Sequence, residues 1–216
     1  MIGTPSPSDL RREYASRALV EEQALDDGVA MFRVWFDEAV KAQLVDANAM
    51  TLATVGADAE PSARIVLLKA FDDRGFVFFT NYESAKGREL DANPRACLLF
   101  FWAALERQVR ITGAVARVGR EDSAEYFHTR PIESQLGAWA SAQSRPLASR
   151  AALDERYAEM AARYAEQQVP LPPHWGGFSV DAERIEFWQG RPSRLHDRLL
   201  YTRQPDRSWS RVRLAP

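Results

Sequence analysis

The sequence has a single cysteine, Cys97, in 216 residues. No intramolecular disulfide can form, which excludes a secreted disulfide scaffold. Cys97 lies in the apolar run from Ala96 to Leu105, where it reads as a buried thiol in a protein of a reducing compartment. That run is the longest apolar stretch, and it falls far short of the roughly 20 residues needed to cross a bilayer. Met1 to Asp9 lacks a basic segment followed by an apolar one, so a cytoplasmic location without a membrane partner is expected. Neither sign of charge dominates. Lys and Arg total 28, Asp and Glu 30, and the net charge of −2 argues against a nucleic-acid partner. There is no Gly-x-Gly-x-x-Gly after a strand, no phosphate-loop lysine, no Gly-x-Ser-x-Gly elbow and no internal repeat. The three histidines, His128, His174 and His196, have no metal-ligand spacing.

What is present is ordinary globular composition, 46% hydrophobic and 27% charged, enough for a sizeable core. Residues 1–25 are polar and read as a mobile arm, and 26–216 as a single domain. A helix is expected from about Asp27, with Phe32, Phe36 and Val40 as its apolar stripe and Trp35 and Ala39 beside them. Short β-branched and aromatic runs follow at Met50–Val55, Ala63–Phe71 and Phe76–Thr80, separated by turn residues. Ser84 caps an expected helix to Ala92, stopped by Asn93-Pro94. Strands are predicted at Arg95–Trp102, Gln108–Val118, Phe178–Trp188, Leu195–Tyr201 and Trp209–Leu214. Helices are predicted at Glu121–Thr129, from Pro131 as a first-turn residue, and at Leu147–Gln168. Consecutive strands with short turns, interrupted by helices, favour a mainly β fold: an antiparallel barrel with peripheral helices.

Three segments carry more unpaired polarity than a scaffold needs. In Arg64-Ile65-Val66-Leu67-Leu68-Lys69 an apolar strand, expected to be buried on both faces, ends in a cation on each side. Each cation either snorkels to water or binds an anion. In Tyr126-x-x-x-Arg130-Pro131-x-x-Ser134 the first two residues share a helical face and Ser134 sits in the first turn of the next helix. This is either a solvated face or a cradle of three donors for a phosphate. In Arg194-Leu195-His196-Asp197-Arg198 an extended strand would point Arg194, His196 and Arg198 the same way. That pattern suits a charged edge strand, a satisfied core histidine, or a site facing something anionic or π-rich. Cations and donors with little acid–base machinery suggest that an organic cofactor carries the hard step.

Together the blocks RIVLLK (64–69), FFTN (78–81), LERQV (105–109), YFHTRPIESQLGAW (126–139), WGGF (175–178), IEFWQG (185–190), RLHDR (194–198) and RLAP (213–216) resemble the pyridoxamine 5′-phosphate oxidase family, from about Arg11 to Pro216. The resemblance implies an FMN-binding split β-barrel acting as a homodimer through a C-terminal dimerisation and substrate region. It implies oxidation of pyridoxamine 5′-phosphate or pyridoxine 5′-phosphate to pyridoxal 5′-phosphate, with O2 as acceptor, H2O2 as product, and ammonia released from the amine. By the same resemblance Arg64, Ile65, Val66, Leu67, Leu68, Lys69, Phe79, Thr80, Lys86, Gln108, Gln143, Ser144, Trp188 and Arg198 line the FMN. Lys69, Tyr126, Arg130 and Ser134 hold the substrate phosphate. Arg194, Leu195 and His196 face the substrate ring, with Arg194 and His196 catalytic. Arg11, Arg12, Glu13 and Tyr14 fold over the substrate, and Asp46 lies near the site. One departure is Ala85, where the family commonly has a second basic residue; Arg88, one turn away, is the candidate replacement. The alternatives are a non-catalytic flavin or pyridoxal-phosphate binder, and an oxidase of the same fold acting on another ring substrate.

Overall fold

The structure is a computed structural model that describes residues 17–216. Arg11, Arg12, Glu13 and Tyr14 lie outside the described residues. The elements run α1 (Gly28–Lys41), β1 (Ala49–Val55), β2 (Pro61–Leu67), β3 (Ala70–Asp72), β4 (Gly75–Asn81), α2 (Ala85–Ala92), β5 (Arg95–Trp102), β6 (Arg107–Arg117), α3 (Arg120–Thr129), α4 (Ile132–Ala140), α5 (Arg150–Arg163), β7 (Trp175–Gln189), β8 (Asp197–Arg203) and β9 (Trp209–Arg213). The nine strands form one sheet, in the order β2-β1-β5-β6-β7-β4-β3, with β8 pairing β7 and β9 pairing β8. Where registers are defined the pairing is antiparallel. The fold is mainly β, as the patterning predicts.

The chain packs as two compact units. One holds Asn48–Leu98 and Thr112–Glu183; the other holds residues up to Ala47, Leu99–Ile111 and Arg184–Pro216. In the second unit α1 starts where Asp27 accepts hydrogen bonds from the amides of Val29 and Ala30, both 2.8 Å. Its buried face is Val29, Met31, Phe32, Trp35 and Ala39. Phe32 meets Phe100 at 5.1 Å between centroids, and Trp35 meets Phe187 edge-on at 5.1 Å. Val40, expected in the apolar stripe, is 52% exposed. The stripe follows the 3.6-residue period through Trp35 and Ala39, and a strict i+4 progression drifts off it.

In the first unit, Ala63–Phe71 is not one strand. β2 pairs β1, with Arg64 opposite Leu52, and β3 pairs β4. Between them the Leu68 amide donates to the Asn48 carbonyl and the Lys69 amide to Val77. The chain breaks where its backbone changes partner. Nor is β2 buried on both faces. It is the edge strand, and Ile65 is 66% and Leu67 40% exposed. Cys97 is half-buried rather than buried.

Three more boundaries moved for local reasons. Ser149 caps α5 by accepting from the Ala152 amide, so the helix begins at Arg150. Pro131 is the N-cap of α4, one position before the first turn. Strand β8 begins at Asp197, because two consecutive left-handed residues, Ser193 (φ 56°) and Arg194 (φ 61°), kink the short 3-10 segment before it. Arg194, His196 and Arg198 therefore do not share one strand face.

Helix α2 carries Lys86 and is capped by Ser84, whose hydroxyl accepts from the Gly87 amide. A Cβ on Gly87 would stand 1.9 Å from the Tyr82 carbonyl oxygen, a backbone atom that cannot step aside. Gly87→Ala is expected to destabilise the protein by about 1–3 kcal/mol, read as a lower midpoint in denaturant unfolding. An unchanged midpoint would mean that α2 does not dock this closely.

Candidate functional site

A cavity of about 580 Å³ opens within the first unit. Its walls come from β2 and the turn after it (Arg64, Ile65, Val66, Leu67, Lys69), from β4 (Phe79, Thr80, Asn81), from Lys86 on α2, and from Tyr126 on α3 with Arg130 just beyond it. Ser134, Gly137, Ala138 and Ser141 on and after α4 complete it with Gln143 and Trp175. Four of these residues are cations and none is Asp or Glu. A cleft with this imbalance favours an anionic occupant.

The cations fall into two clusters. In the first, Lys86 Nζ donates to Gln143 Oε1 at 3.1 Å and Thr80 Oγ1 at 3.3 Å. Burial, then the nearby Arg64 guanidinium, push the Lys86 ammonium below its ordinary pKa. Arg64 is held by Glu89 at 2.9 Å and also donates to Ser62 and Thr54. Arg64 therefore neither snorkels freely nor waits wholly for an external anion: its charge is met in part by a carboxylate of the chain. For Glu89, burial raises the pKa, but hydrogen bonds from Thr54 and Arg64 outweigh it and leave the carboxyl below its usual range.

The second cluster has no such carboxylate. Arg130 lies with its guanidinium 4.7 Å above the Trp175 ring and 5.6 Å from Phe127. Its Nη1 is buried and has no hydrogen-bond partner among the described residues. Burial pushes the guanidinium below its ordinary pKa. Lys69 Nζ stands 5.8 Å from the Tyr126 ring centre. Tyr126, Phe79 and Trp175 form a near-parallel group, with Phe79 4.1 Å from Tyr126 and 5.5 Å from Trp175. Phe79 pairs with Gly177 across β4 and β7, and a Cβ on Gly177 would come within 2.9 Å of the Phe79 ring. The glycine lets the ring lie flat on the strand.

Of the residues expected around FMN, Arg64, Ile65, Val66, Leu67, Lys69, Phe79, Thr80, Lys86 and Gln143 line the cavity. Leu68 does not, because it points into the core and is 4% exposed. Ser144, next to Gln143, is exposed at a left-handed φ of 67° and is not in the wall. Arg88 does not take the place left by Ala85. It is exposed and donates to the Glu83 carbonyl. All four residues of the expected phosphate cradle, Lys69, Tyr126, Arg130 and Ser134, line the cavity. Sequence reasoning missed Asn81, Gly137, Ala138, Ser141 and Trp175. Only Trp175 carried a signal, the Gly-Gly pair that follows it inside a strand.

Gln108, Trp188, Arg194, Leu195, His196 and Arg198 belong to the second unit. Trp188 and Arg198 are directly paired across β7 and β8. Arg198 Nε donates to Glu186 at 2.9 Å, and the same buried carboxylate takes Arg110. His196 packs against Trp188, 4.6 Å between centroids. Its Nδ1 accepts from the Arg191 amide at 3.1 Å, so the neutral ring carries its proton on Nε2. In this arrangement the imidazole is a hydrogen-bond donor at Nε2, and serving as a base would require it to release Arg191. Leu195 and Arg194 are exposed, and Asp46 is exposed at a left-handed φ of 49°, past the Ala42 C-cap of α1.

Burial, then the Arg194 charge, lower the His196 pKa below its ordinary 6.5. The fold thus favours the neutral ring. Its stabilising effect is present above pH 6.5 and is lost as pH falls through the lowered native value. NMR titration of the His196 ring should give a midpoint below 6.5 that rises in Arg194→Ala. A midpoint at or above 6.5 would mean that the ring does not hold the Arg191 amide in solution.

The chain matches the family described as pyridoxamine 5′-phosphate oxidase over residues 36–189 and the pyridoxine 5′-phosphate oxidase C-terminal dimerisation region over 175–216. It is 58% identical to a pyridoxine/pyridoxamine 5′-phosphate oxidase of Bordetella pertussis, over 98% of this chain and 100% of that one. It is 57% identical to the protein of that name from Pseudomonas paraeruginosa, over 99% and 100%. Among solved structures, PhzG from Burkholderia lata, in complex with tetrahydrophenazine-1-carboxylic acid, superposes with a TM-score of 0.86 at 29% identity, covering 92% of this chain and 98% of that one. An FMN-binding protein from Nostoc punctiforme, related to pyridoxamine 5′-phosphate oxidase, gives 0.70 at 17% identity over 86% and 97%, a likeness of fold alone. The architecture is the split β-barrel, and the chain belongs to the pyridoxamine 5′-phosphate oxidase family.

Proposed function

We propose that the protein is an FMN-dependent oxidase that converts pyridoxamine 5′-phosphate or pyridoxine 5′-phosphate to pyridoxal 5′-phosphate. Dioxygen is the final acceptor, hydrogen peroxide is released, and the amine substrate also yields ammonia. The observation that carries this reading is Arg130, a half-buried arginine whose Nη1 is buried and without a partner among the described residues, in the wall of a cavity lined by four cations and no carboxylate. Such a group is costly unless an anion completes it.

The donor set fits two phosphoryl esters. Lys86, Thr80, Gln143 and Arg64 would hold the FMN phosphate, and Lys69, Tyr126, Arg130 and Ser134 that of the substrate. When bound, FMN supplies the two-electron acceptor for the C4′ hydrogen and the route for those electrons to dioxygen. The chain supplies binding and orientation. The phosphate clamp and the Tyr126–Phe79–Trp175 wall fix the substrate ring, so that much of the acceleration comes from positioning. Arg194 orients the ring substituents, and His196 donates from Nε2 to a polar substituent near C4′. The C-terminal region matched to dimerisation supports a homodimer.

A second reading, oxidation of a different ring substrate, is favoured by the likeness to PhzG. The phosphate clamp weighs against it. The test is to ask whether the purified protein is yellow and releases one peroxide per pyridoxal 5′-phosphate formed. A colourless protein, or turnover of unphosphorylated rings at equal efficiency, would overturn the proposal.

A further inference from the structure

Arg130 meets its surroundings in an unusual way. Its backbone is pinned on both sides: the amide donates to the Phe127 carbonyl at 3.2 Å, and the carbonyl accepts from Gln135 Nε2 at 2.8 Å. Its side chain has neither a carboxylate nor a hydrogen bond among the described residues to fix it, and instead lies over the face of Trp175. A guanidinium prefers such a face, since the plane of the cation matches the negative π-cloud and the N–H groups along its edge stay free to donate to an acceptor. Trp175 can bear that load because it is itself immobile. It is 6% exposed, sits in the apolar cluster with Phe127, Leu136, Tyr164 and Val169, and pairs with Asn81 across β4 and β7. Its carbonyl takes Arg120 Nη1 at 3.0 Å, and its ring stacks on Phe79 at an interplanar angle of 12°.

We propose that Trp175 is a positioning residue that sets phosphate selectivity: its ring holds the Arg130 guanidinium from one face, with the cation's charge presented to the substrate's phosphoryl group. A carboxylate in that place would fix the arginine equally well, but it would neutralise the charge the phosphate needs. The indole face orients the cation and leaves its charge available. Phe79 carries the same ring group on to Tyr126, so one aromatic platform aligns two of the phosphate donors. This inference rests on the reading of Arg130 as a substrate-phosphate residue.

The test uses holoenzyme and compares pyridoxamine 5′-phosphate with pyridoxamine, reporting the ratio of their kcat/KM values. Trp175→Leu should lower that ratio about tenfold, equivalent to about 1.4 kcal/mol, chiefly through a higher KM for the phosphorylated substrate. Trp175→Phe, which restores a ring face, should recover most of it. Trp175→Met serves if the leucine variant does not fold. In an Arg130→Ala background Trp175→Leu should have no further effect on the ratio, because the two act as one unit. A merely structural role would lower both substrates together and leave the ratio in place. If Arg130→Ala collapses the ratio but the Trp175 variants do not move it, the inference fails alone. If Arg130→Ala itself leaves the ratio unchanged, the underlying reading of the clamp fails.

Discussion

Arg130→Ala is expected to lower kcat/KM for pyridoxamine 5′-phosphate by about 100-fold while the protein stays folded and flavin-loaded. The size follows from what is removed. A charge-assisted hydrogen bond contributes about 1.5–3 kcal/mol, and the upper end of that range corresponds to roughly two powers of ten. Removing the guanidinium should also relieve the fold of a buried, unsatisfied donor, so the melting temperature should hold or rise. Loss of activity with gain of stability is the signature of a group kept for a ligand. Unphosphorylated pyridoxamine, which never used the contact, separates the clamp from general damage. Steady-state kinetics on both substrates and a thermal scan check this. An equal loss for both substrates, or a fall in stability, would assign Arg130 to the scaffold.

The second large effect is expected at Arg194, through the backbone as well as the side chain. Ser193 and Arg194 are consecutive non-glycine residues in the left-handed region, with φ of 56° and 61°. Each such residue costs about 1–2 kcal/mol, and strain of this kind collects at functional sites. Arg194→Gly should relax that strain and remove the guanidinium together. Turnover is expected to fall more than 100-fold, with FMN retained and thermal stability unchanged or higher. Arg194→Ala should lose as much activity without the stability gain. Apo-protein from either variant would mean that Arg194 serves the cofactor. Near-normal turnover in the glycine variant would mean that the loop's shape matters and its charge does not.

The parts of the fold that were legible in the sequence were those set by local chemistry. Asp27 and Ser84 announced their helices because a cap is a contact within three residues. Arg95–Trp102 matches its predicted bounds because a continuous apolar run starts directly after the Asn93-Pro94 stop. What failed depended on partners distant in the chain. The break after Leu67 exists because Leu68 and Lys69 bond to Asn48 and Val77, which no period of two can reveal. The exposure of Ile65 follows from the edge position of β2 in the sheet.

The candidate site divided the same way. Tyr126, Arg130 and Ser134 do meet at the cavity, but not on one helical face: α3 ends at Thr129 and Arg130 is extended at its C-cap, so the α3–α4 turn brings them together. Trp175 was missed as a functional residue, since its contact with Arg130 spans 45 positions and an indole reads as core. Glu89, the partner of Arg64, was equally invisible, and it turns one presumed anion site partly into an internal ion pair.

The most direct measurement is a crystal structure of the protein with FMN and pyridoxal 5′-phosphate. One phosphoryl group should lie against Lys86, Thr80 and Gln143, and the other should take the Arg130 guanidinium together with Lys69, Tyr126 and Ser134. A cavity holding neither phosphate, with Arg130 turned to a carboxylate of the chain, would contradict it.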